Sequence, residues 1–353
     1  MEYRLLDILH IHMGFSIGDP AGNQSVPFKT YHSELQDAGM RVDFAAFTPE
    51  LLNDESIAWA KYDRVVVMVP WSMTVEDLST FLQRLRQQAK KAKILFLDYY
   101  APTCSPHFAV LPLVDRFIKR QVLKNRNEYL RDYAGGYIFT DYLQRELGRD
   151  LNGWHFGQIP EQNQLHKVVP GWSLGVTPGY ETILKTTNLV RWPRRFRPYR
   201  LNLKFVRAST MKGENWYDWH RKDAFERLAD IPGPHSKPAP TGYREYMVNL
   251  ALSRVTPSPL GWGEVCFRDY EAVATGCLLV KPDMSHLETS PDIYDEGTYV
   301  PCRWDLADLR EKCEHYLDHP READEIARNA REKYTRYFKE KQFVSDFEKL
   351  VAF

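Results

Sequence analysis

Arg268 and Glu271 have the residue types and the spacing to bind a nucleoside diphosphate. They lie in the segment 257–282, PSPLGWGEVCFRDYEAVATGCLLVKP, where a helix is predicted from about 264 to 275. Residues three apart on a helix share a face. An arginine there can donate two parallel hydrogen bonds to a phosphate, and a carboxylate beside it can accept from sugar hydroxyls. The same spacing is also that of an ordinary surface ion pair, so both interpretations are open.

The turn before this helix adds backbone donors. It is flanked by glycines at 261–263, and Gly263 and Glu264 lead directly into the predicted helix. The first N–H groups of a helix have no partner within the helix, so a turn that feeds a helix N-terminus can hold an anion. Gly276 stands where the helix should end, and the apolar run 277–280 is typical of a strand.

A second loop could contact the same phosphate. The strand-like run 201–206 is followed by a polar loop, 207–213, and by a predicted helix, 216–228. A loop between a strand and a helix is a usual location for a phosphate contact. Arg207 is the first candidate in this loop, and Lys212 is the second.

Two aspartates are placed to act as a general base. Asp98 ends the apolar run ILFLD, and Asp19 lies in the loop 14–24 after the first predicted strand. A partly desolvated carboxylate at the carboxyl edge of a sheet can deprotonate a hydroxyl. Aspartate at such a position is equally typical of a turn or a helix cap, and Asp19 precedes Pro20 as in an ordinary turn. Both interpretations stay open for both residues.

Predicted strands and helices alternate along the first half of the chain, and they must position Asp19 and Asp98. Strands are predicted at 5–13, 41–47, 62–70 and 94–99, and helices at 27–38 and 75–91. This alternation predicts a parallel, doubly wound α/β sheet with right-handed crossovers. Ligands of such sheets bind beyond the carboxyl ends of the strands. His10 and His12 alternate within the first strand, and we interpret them as structural.

Composition argues against several classes of protein. Lys plus Arg and Asp plus Glu both number 47, so no net charge draws the chain to nucleic acid or to an anionic membrane. No apolar run approaches the ~20 residues that span a bilayer, and the start of the chain lacks a signal-peptide pattern. The five cysteines lack metal-ligand spacing, so we expect reduced thiols and a cytoplasmic location. The basic stretch 115–148, which contains Lys119 and Arg120, is interpreted as a solvated helix face.

The runs FRDYEAVATGCLLVKPDMSHLE and DLADLREKCEHYLDHPREADEIARNAREKYTRYF resemble the C-terminal, nucleotide-sugar half of GT-B glycosyltransferases. The chain is most similar to bacterial "glycosyl transferases group 1" and exostosin-like enzymes, which carry an R-x-x-E-A…G-C core. The likeness covers roughly residues 246–338. It implies that Arg268 binds the donor diphosphate and that Glu271 binds the ribose. Retaining group-1 enzymes often carry two glutamates eight positions apart, but Gly263 occupies the position eight before Glu271, and a retaining mechanism is therefore not implied.

The resemblance also implies an architecture of two Rossmann-like, doubly wound domains that face a central cleft. We expect an acceptor-side domain at 1–170, a connection at 171–200, a donor domain at 201–335 and a bracing C-terminal helix at 336–353. His286 would lie in a loop beside the donor, as a phosphate or sugar contact or as a structural cap. Asp98 matches the position of the catalytic base in the DNA beta-glucosyltransferases of phages, to which the chain bears a distant likeness.

The function implied by the resemblance is transfer of a sugar from a nucleotide-sugar, such as a UDP-sugar, to a hydroxyl of a saccharide acceptor of the bacterial surface polysaccharide type. There is no D-x-D motif, so we expect a metal-independent enzyme in which Arg268, Arg207 and a helix N-terminus neutralise the leaving diphosphate. No cofactor is expected besides the nucleotide-sugar co-substrate.

Two alternatives stay open. One is a DNA-modifying glycosyltransferase that acts on hydroxymethylated bases, although the neutral net charge does not favour nucleic acid as a partner. The other is a non-catalytic protein that binds nucleotide-sugars, because a fold does not fix a function. A dinucleotide oxidoreductase is disfavoured, since no G-x-G-x-x-G follows a predicted strand.

Overall fold

The first of two parallel sheets is built from apolar runs in the first half of the chain. The computed structural model describes residues 5–189, 194–205, 215–236 and 242–353. The first seven strands are β1 (Leu6–His12), β2 (Met40–Ala46), β3 (Arg64–Val67), β4 (Lys93–Asp98), β5 (Arg116–Lys119), β6 (Gln121–Leu123) and β7 (Val168–Pro170). All but β6 join one parallel sheet in the order β2-β1-β3-β4-β5-β7. The central strands are buried on both faces, as parallel sheets covered by helices require.

The second sheet follows after a connecting helix. Its strands are β8 (Tyr199–Asn202), β9 (His235–Ser236), β10 (Ser253–Pro257), β11 (Leu278–Pro282) and β13 (Val300–Cys302). They pair in parallel in the order β13-β11-β10-β8-β9. Between β11 and β13, strand β12 (Leu287–Thr289) pairs antiparallel with β6, so that a two-stranded ribbon joins the two halves of the chain. The prediction of doubly wound parallel α/β architecture is confirmed.

Helices cover both sheets. In the first half they are α1 (Pro20–Thr30), α2 (His32–Asp37), α3 (Val75–Gln88) and α4 (Ile138–Arg145). Those that follow are α5 (Pro178–Leu189), α6 (Trp216–Leu228), α7 (Tyr243–Ala251), α8 (Phe267–Thr275), α9 (Leu309–Asp318), α10 (Pro320–Lys339) and α11 (Gln342–Val351). Short 3-10 turns occupy Leu51–Asn53, Trp59–Lys61, Phe108–Leu113, Arg126–Leu130, Ala134–Gly136, Gln162–Lys167 and Arg194–Phe196. No helix in the described ranges is both long and apolar enough to cross a membrane.

Helix α1 begins at Pro20, earlier than the predicted start at 27. Asp19 is the N-cap residue: its backbone is extended, and its Oδ2 accepts a hydrogen bond from Gly22 N at 2.8 Å. Proline is favoured at the first helical position, where its missing N–H costs nothing. The Asp-Pro pair is therefore a helix start here and not a free turn.

The basic stretch 115–148 is not a solvated helix face, and that expectation is wrong. Its first part forms β5, which pairs with β4 on one side and β7 on the other. Lys119 and Arg120 are 0% and 1% exposed. The apolar residues Phe117 and Ile118 place this segment inside the sheet, and the cations that follow them are buried with it.

The end of the chain packs on the first sheet. Phe343 and Phe347 of α11 contact the Phe28 ring, with centroid distances of 5.5 and 4.9 Å. Arg64 Nε also donates to the carbonyl oxygen of Val351 at 2.9 Å. The five cysteines are all free.

A buried carboxylate, Asp269, fixes the connection between β10 and α8. Its Oδ2 accepts from Cys266 N at 2.9 Å and from the Tyr294 hydroxyl at 2.7 Å. The ammonium of Lys281, in β11, lies 3.1 Å from the same oxygen, and both side chains are 0% exposed. Oδ1 accepts from the hydroxyl of Ser258, at the end of β10. The helix ends as predicted at Gly276, whose φ of 69° is left-handed.

We predict that Asp269→Ala lowers the free energy of unfolding by about 3–5 kcal/mol, because the buried charge of Lys281 loses its partner. Glu226→Ala is the control, since Glu226 forms an exposed pair with Lys222 at 3.9 Å and should change stability by less than about 1 kcal/mol. Urea unfolding of both variants measures the difference. Equal effects of the two substitutions would show that Asp269 does not hold this connection.

Two buried histidines make the stability depend on pH. His10 in β1 and His220 in α6 are 0% exposed, and burial lowers the pKa of each to about 3. In the unfolded chain these imidazoles have a pKa of about 6.5. Below that pH the unfolded state binds protons that the folded state does not, so the stabilisation is full above about pH 6.5 and is lost as the pH falls.

We predict that the free energy of unfolding of His10→Gln depends less steeply on pH between 6 and 4.5 than that of the parent chain. One such histidine accounts for up to about 1.4 kcal/mol per pH unit. His32→Gln, at an exposed position, is the control and should keep the parent slope. Denaturant unfolding at a series of pH values gives the slopes, and a parent-like slope for His10→Gln would contradict the assignment.

Candidate functional site

Arg268 lies in the first turn of α8, at the carboxyl edge of the second sheet. Its Nε donates to Ser258 Oγ at 3.2 Å, and its Nη2 to the carbonyl oxygen of Pro259 at 3.5 Å. The guanidinium carbon is 5.7 Å from the centroid of the Phe205 ring. The side chain is half-buried, and in the described part of the chain it forms no ion pair with a carboxylate. These contacts orient the guanidinium without neutralising it.

Glu271 lies one turn further along and is bound to a tyrosine of α7. The Tyr246 hydroxyl donates to its Oε2 at 2.9 Å. Glu271 is 6% exposed, and burial raises its pKa although the Tyr246 hydroxyl and the charge of Arg268 oppose the shift. Arg268 and Glu271 are therefore not paired with each other, and the interpretation as a surface ion pair is wrong.

Gly263 and Glu264 join the two halves of the chain. Glu264 is 1% exposed, and its Oε1 accepts from the Thr103 hydroxyl at 2.6 Å while its Oε2 accepts from Thr103 N at 3.1 Å. A Cβ at position 263 would lie 2.1 Å from the carbonyl oxygen of Ala101, so only glycine allows this approach. The turn before α8 thus packs on the loop that follows β4.

Asp98 is enclosed at the end of β4. Its Oδ2 is 2.8 Å from the ammonium of Lys119, and both side chains are at most 1% exposed. Its Oδ1 accepts from Tyr100 N at 2.9 Å. Lys119 also donates to the carbonyl oxygen of Cys104 at 3.0 Å. Both carboxylate oxygens are occupied, which favours the structural one of the two interpretations that the sequence left open.

Asp19 has the opposite surroundings. It is exposed in the loop between β1 and α1, and one of its oxygens caps the helix. Its charge contributes to raising the pKa of Tyr99, at the end of β4, to about 12, although burial of the tyrosine is the main cause. Asp19 is therefore a solvent-accessible carboxylate at the same sheet edge as Asp98.

Arg120 is a candidate site residue that the sequence did not predict. It follows β5 directly, is 1% exposed, and its Nε and Nη2 have no hydrogen-bond partner within the described residues. Burial lowers its pKa to about 10, although the charges of Asp98 and Glu264 oppose the shift. The available signal was its place directly after a strand of the parallel sheet, where ligands bind.

Of the three remaining predicted site residues, the structure describes only His286. His286 lies between β11 and β12 with its ring 5.1 Å from Trp304, and neither of its ring nitrogens has a partner in the ranges that the structure describes. Burial lowers its pKa. Arg207 and Lys212 lie outside the described residues.

Among the described residues, no group of three or more His, Cys, Asp or Glu side chains is arranged to hold a metal ion. The positive charges at the two sheet edges come from arginine and lysine: Lys119 and Lys281 are each paired with a buried aspartate. Arg120 and Arg268 have no such partner in the same ranges, so they are the groups that could receive an anion.

Comparison with solved structures gives similarities over most of the chain. An alpha-glucosyltransferase in complex with UDP is 9% identical with a TM-score of 0.47, over 97% of this chain and 100% of that one. The pneumococcal O-GlcNAc transferase GtfA, in complex with UDP and GlcNAc, is 14% identical with a TM-score of 0.43, over 86% of this chain and 59% of that one. MnaA of S. aureus with UDP is 12% identical with a TM-score of 0.41, over 92% and 90%.

No curated protein matches the chain. Residues 195–348 match the protein family described as "Glycosyl transferase-like". This range contains the whole second sheet, from β8 to β13, together with α8, which carries Arg268 and Glu271. The resemblance to glycosyltransferases that the sequence predicted over residues 246–338 is confirmed, because the second sheet and its helices match this glycosyl transferase-like family.

Proposed function

We propose that the chain is a nucleotide-sugar-dependent glycosyltransferase that binds the diphosphate of its donor at the first turn of α8. The observation that carries the proposal is Arg268, a half-buried guanidinium oriented by Ser258 and Pro259 and without a carboxylate partner among the described residues. It lies within the segment that matches the family. A guanidinium in this state can still donate a forked pair of hydrogen bonds to phosphate.

Glu271 is proposed to accept from the ribose hydroxyls of the nucleotide. The Tyr246 hydroxyl holds its carboxylate on the face of α8 that also carries Arg268. A carboxylate has about four acceptor sites, so one tyrosine hydroxyl leaves room for further donors. The side chain is thus oriented in advance and loses little conformational entropy when the nucleotide binds.

Arg120 is proposed as the second positive charge of the site. It lies at the carboxyl edge of the first sheet and is buried close enough to Glu264, of the second half, for that charge to affect its pKa. A buried guanidinium with free donors costs free energy that an anionic ligand would offset. In the transfer step the leaving nucleoside diphosphate gains charge, which Arg120 and Arg268 would stabilise from two sides.

Asp19 is proposed as the general base. In the reaction the acceptor hydroxyl oxygen bonds to the anomeric carbon of the donor sugar, its proton passes to the Asp19 carboxylate, and the nucleoside diphosphate leaves with the electrons of the broken C–O bond. Asp19 has an accessible oxygen at the edge of the first sheet, whereas both oxygens of Asp98 are occupied by Lys119 and Tyr100. A base must reach the proton that it removes.

We predict that Arg268→Ala weakens binding of UDP by at least about tenfold, because each hydrogen bond to a charged group contributes about 1.5–3 kcal/mol. Isothermal titration calorimetry with UDP measures the change. Arg328→Ala, at an exposed position of α10, is the matched control and should bind UDP as the parent does. An unchanged dissociation constant for a folded Arg268→Ala protein would overturn the assignment of the diphosphate site.

We predict that Asp19→Asn lowers turnover by about 10²–10⁴-fold while UDP affinity and melting temperature stay close to those of the parent. Asparagine caps a helix nearly as well as aspartate but cannot take the proton, so α1 should remain intact. Release of UDP from a UDP-sugar, with water or added saccharides as acceptor, measures turnover.

The comparison variant is Asp98→Asn, which leaves Lys119 buried without its charge partner. We expect this variant to lose stability by several kcal/mol. Parent-like turnover in Asp19→Asn, together with a stable but inactive Asp98→Asn protein, would transfer the role of base to Asp98.

A further inference from the structure

Two tryptophans, one from each half of the chain, meet in an exposed position at the junction of the two halves. Trp71 lies in the turn after β3, and Trp262 lies in the glycine-flanked turn before α8. Their ring centroids are 6.3 Å apart, at an interplanar angle of 86°. Trp71 is 59% exposed and Trp262 is 41% exposed, so a ligand can touch both side chains. We call these two side chains the indole pair.

We propose that the indole pair binds the sugar that is transferred from the donor, and that this sugar is a neutral hexopyranose. The proposal rests on the function proposed above. It assigns a site for the sugar itself, which the residues named above for the diphosphate, the ribose and the proton do not provide.

The first argument is which side chain of the turn before α8 a ligand can reach. Glu264 is 1% exposed, and both of its carboxylate oxygens accept hydrogen bonds from Thr103, so it is not available to a sugar. Gly263 has no side chain, and its backbone packs on Ala101. Trp262 is therefore the side chain with which this turn can contact a ligand.

The second argument is the position of Trp262 relative to the proposed diphosphate site. Arg268 donates to the carbonyl oxygen of Pro259 at 3.5 Å. Trp262 is three residues after Pro259, and three residues of chain span at most about 11 Å. The sugar of a donor is joined directly to its outer phosphate. A sugar on the Trp262 ring is thus within reach of a diphosphate bound at Arg268.

The other member of the pair lies near the proposed base. Trp71 N donates to the Tyr99 hydroxyl at 3.0 Å. Burial raises the pKa of this tyrosine, and the nearby charge of Asp19 adds to the shift. The indole pair therefore connects the surroundings of Arg268 with those of Asp19. In the transfer step the anomeric carbon must lie between the two, because its bond to the diphosphate breaks while its bond to the acceptor oxygen forms.

The third argument is the chemistry of the surface. A neutral hexopyranose has apolar C–H faces, which suit an aromatic ring, and a rim of hydroxyls, which can accept from an indole N–H. Phe156 packs on Trp262 with a centroid distance of 5.5 Å, and Trp154 stacks on Phe156 at 6.2 Å. The pair and the two rings that support it carry no charge. This support orients Trp262 before a sugar binds, which lowers the entropic cost of binding.

The test compares affinity for UDP with affinity for UDP-sugars in three variants of the full chain: Trp71→Ala, Trp262→Ala and Trp262→Phe. Isothermal titration calorimetry with UDP, UDP-glucose, UDP-galactose and UDP-N-acetylglucosamine gives the dissociation constants. Phe196→Ala is the matched control, because Phe196 is a 55% exposed aromatic residue just before β8, at the opposite edge of the second sheet from Arg268. Melting temperatures show which variants are folded.

We expect at least one UDP-sugar to bind Trp71→Ala and Trp262→Ala about three- to tenfold more weakly than the parent, because each substitution removes one ring contact. Trp262→Phe keeps an aromatic face and should lose less affinity. UDP lacks the transferred sugar and should bind all variants as it binds the parent. Trp71→Ala removes an exposed side chain and should stay folded, so it decides the test even if Trp262→Ala does not fold.

Three results would overturn the proposal. Parent-like affinity of Trp71→Ala, or of a folded Trp262→Ala protein, for every UDP-sugar would show that the pair does not hold the sugar. Equal weakening of UDP and UDP-sugars would assign the pair to the nucleotide. Unchanged donor affinity together with a loss of turnover on added saccharides would assign it to the acceptor.

Failure of the underlying function gives a different result. If the parent chain binds neither UDP nor any UDP-sugar, the proposed donor site is wrong and the sugar site is overturned with it. If the parent binds both ligands, Arg268→Ala loses both, and the tryptophan variants keep full affinity for the UDP-sugars, then the donor site is retained and only the sugar assignment is overturned.

Discussion

The buried carboxylate of Asp269 is the interaction on which the rest of the candidate site depends. A fully buried charge is tolerated only where donors and an opposite charge surround it, and Asp269 has four donors, including the ammonium of Lys281. These donors come from the end of β10, the start of α8, β11 and the loop that contains Tyr294. Because the two carboxylate oxygens of Asp269 bond to all of these elements, they fix the first turn of α8 relative to the second sheet. The guanidinium of Arg268 lies in that turn and is positioned with it.

The two halves of the chain are joined at the same turn. Two residues before the N-cap of α8, Glu264 accepts both hydrogen bonds that Thr103 can donate, and Gly263 allows the backbone to touch Ala101. Glu264, which the sequence pattern suggests as a ligand contact, is therefore a structural link between the two halves of the chain. The consequence is that the proposed donor helix and the loop after β4 form one continuous surface, so that groups from both sheets can act on one bound molecule.

Sequence periodicity predicted most of the elements, and for α6 it predicted both ends, because apolar runs and glycine or proline boundaries are local features. It did not predict which charges are buried. Lys119 and Arg120 look like part of a solvated basic stretch, since the pairing of β5 between β4 and β7 is a long-range property that no local pattern contains. The predicted start of α1 was wrong for a different reason. Asp19-Pro20 is compatible with both a turn and a helix cap, and only the hydrogen bond from Gly22 N to the Asp19 carboxylate decides between them.

The two sheets repeat one electrostatic arrangement, which supports the proposal that a chain with no net charge binds an anionic donor. At the carboxyl edge of each sheet a buried lysine is paired with a buried aspartate: Lys119 with Asp98, and Lys281 with Asp269. Next to each pair is an arginine, Arg120 or Arg268, that lacks an acidic partner in the described residues. The pairs satisfy the cost of burial locally, and the two arginines keep guanidinium groups without a salt-bridge contact among the described residues. Since the interior screens charge far less than water, the proposed function needs only these two guanidiniums to attract a diphosphate, although 47 acidic residues balance 47 basic ones over the whole chain.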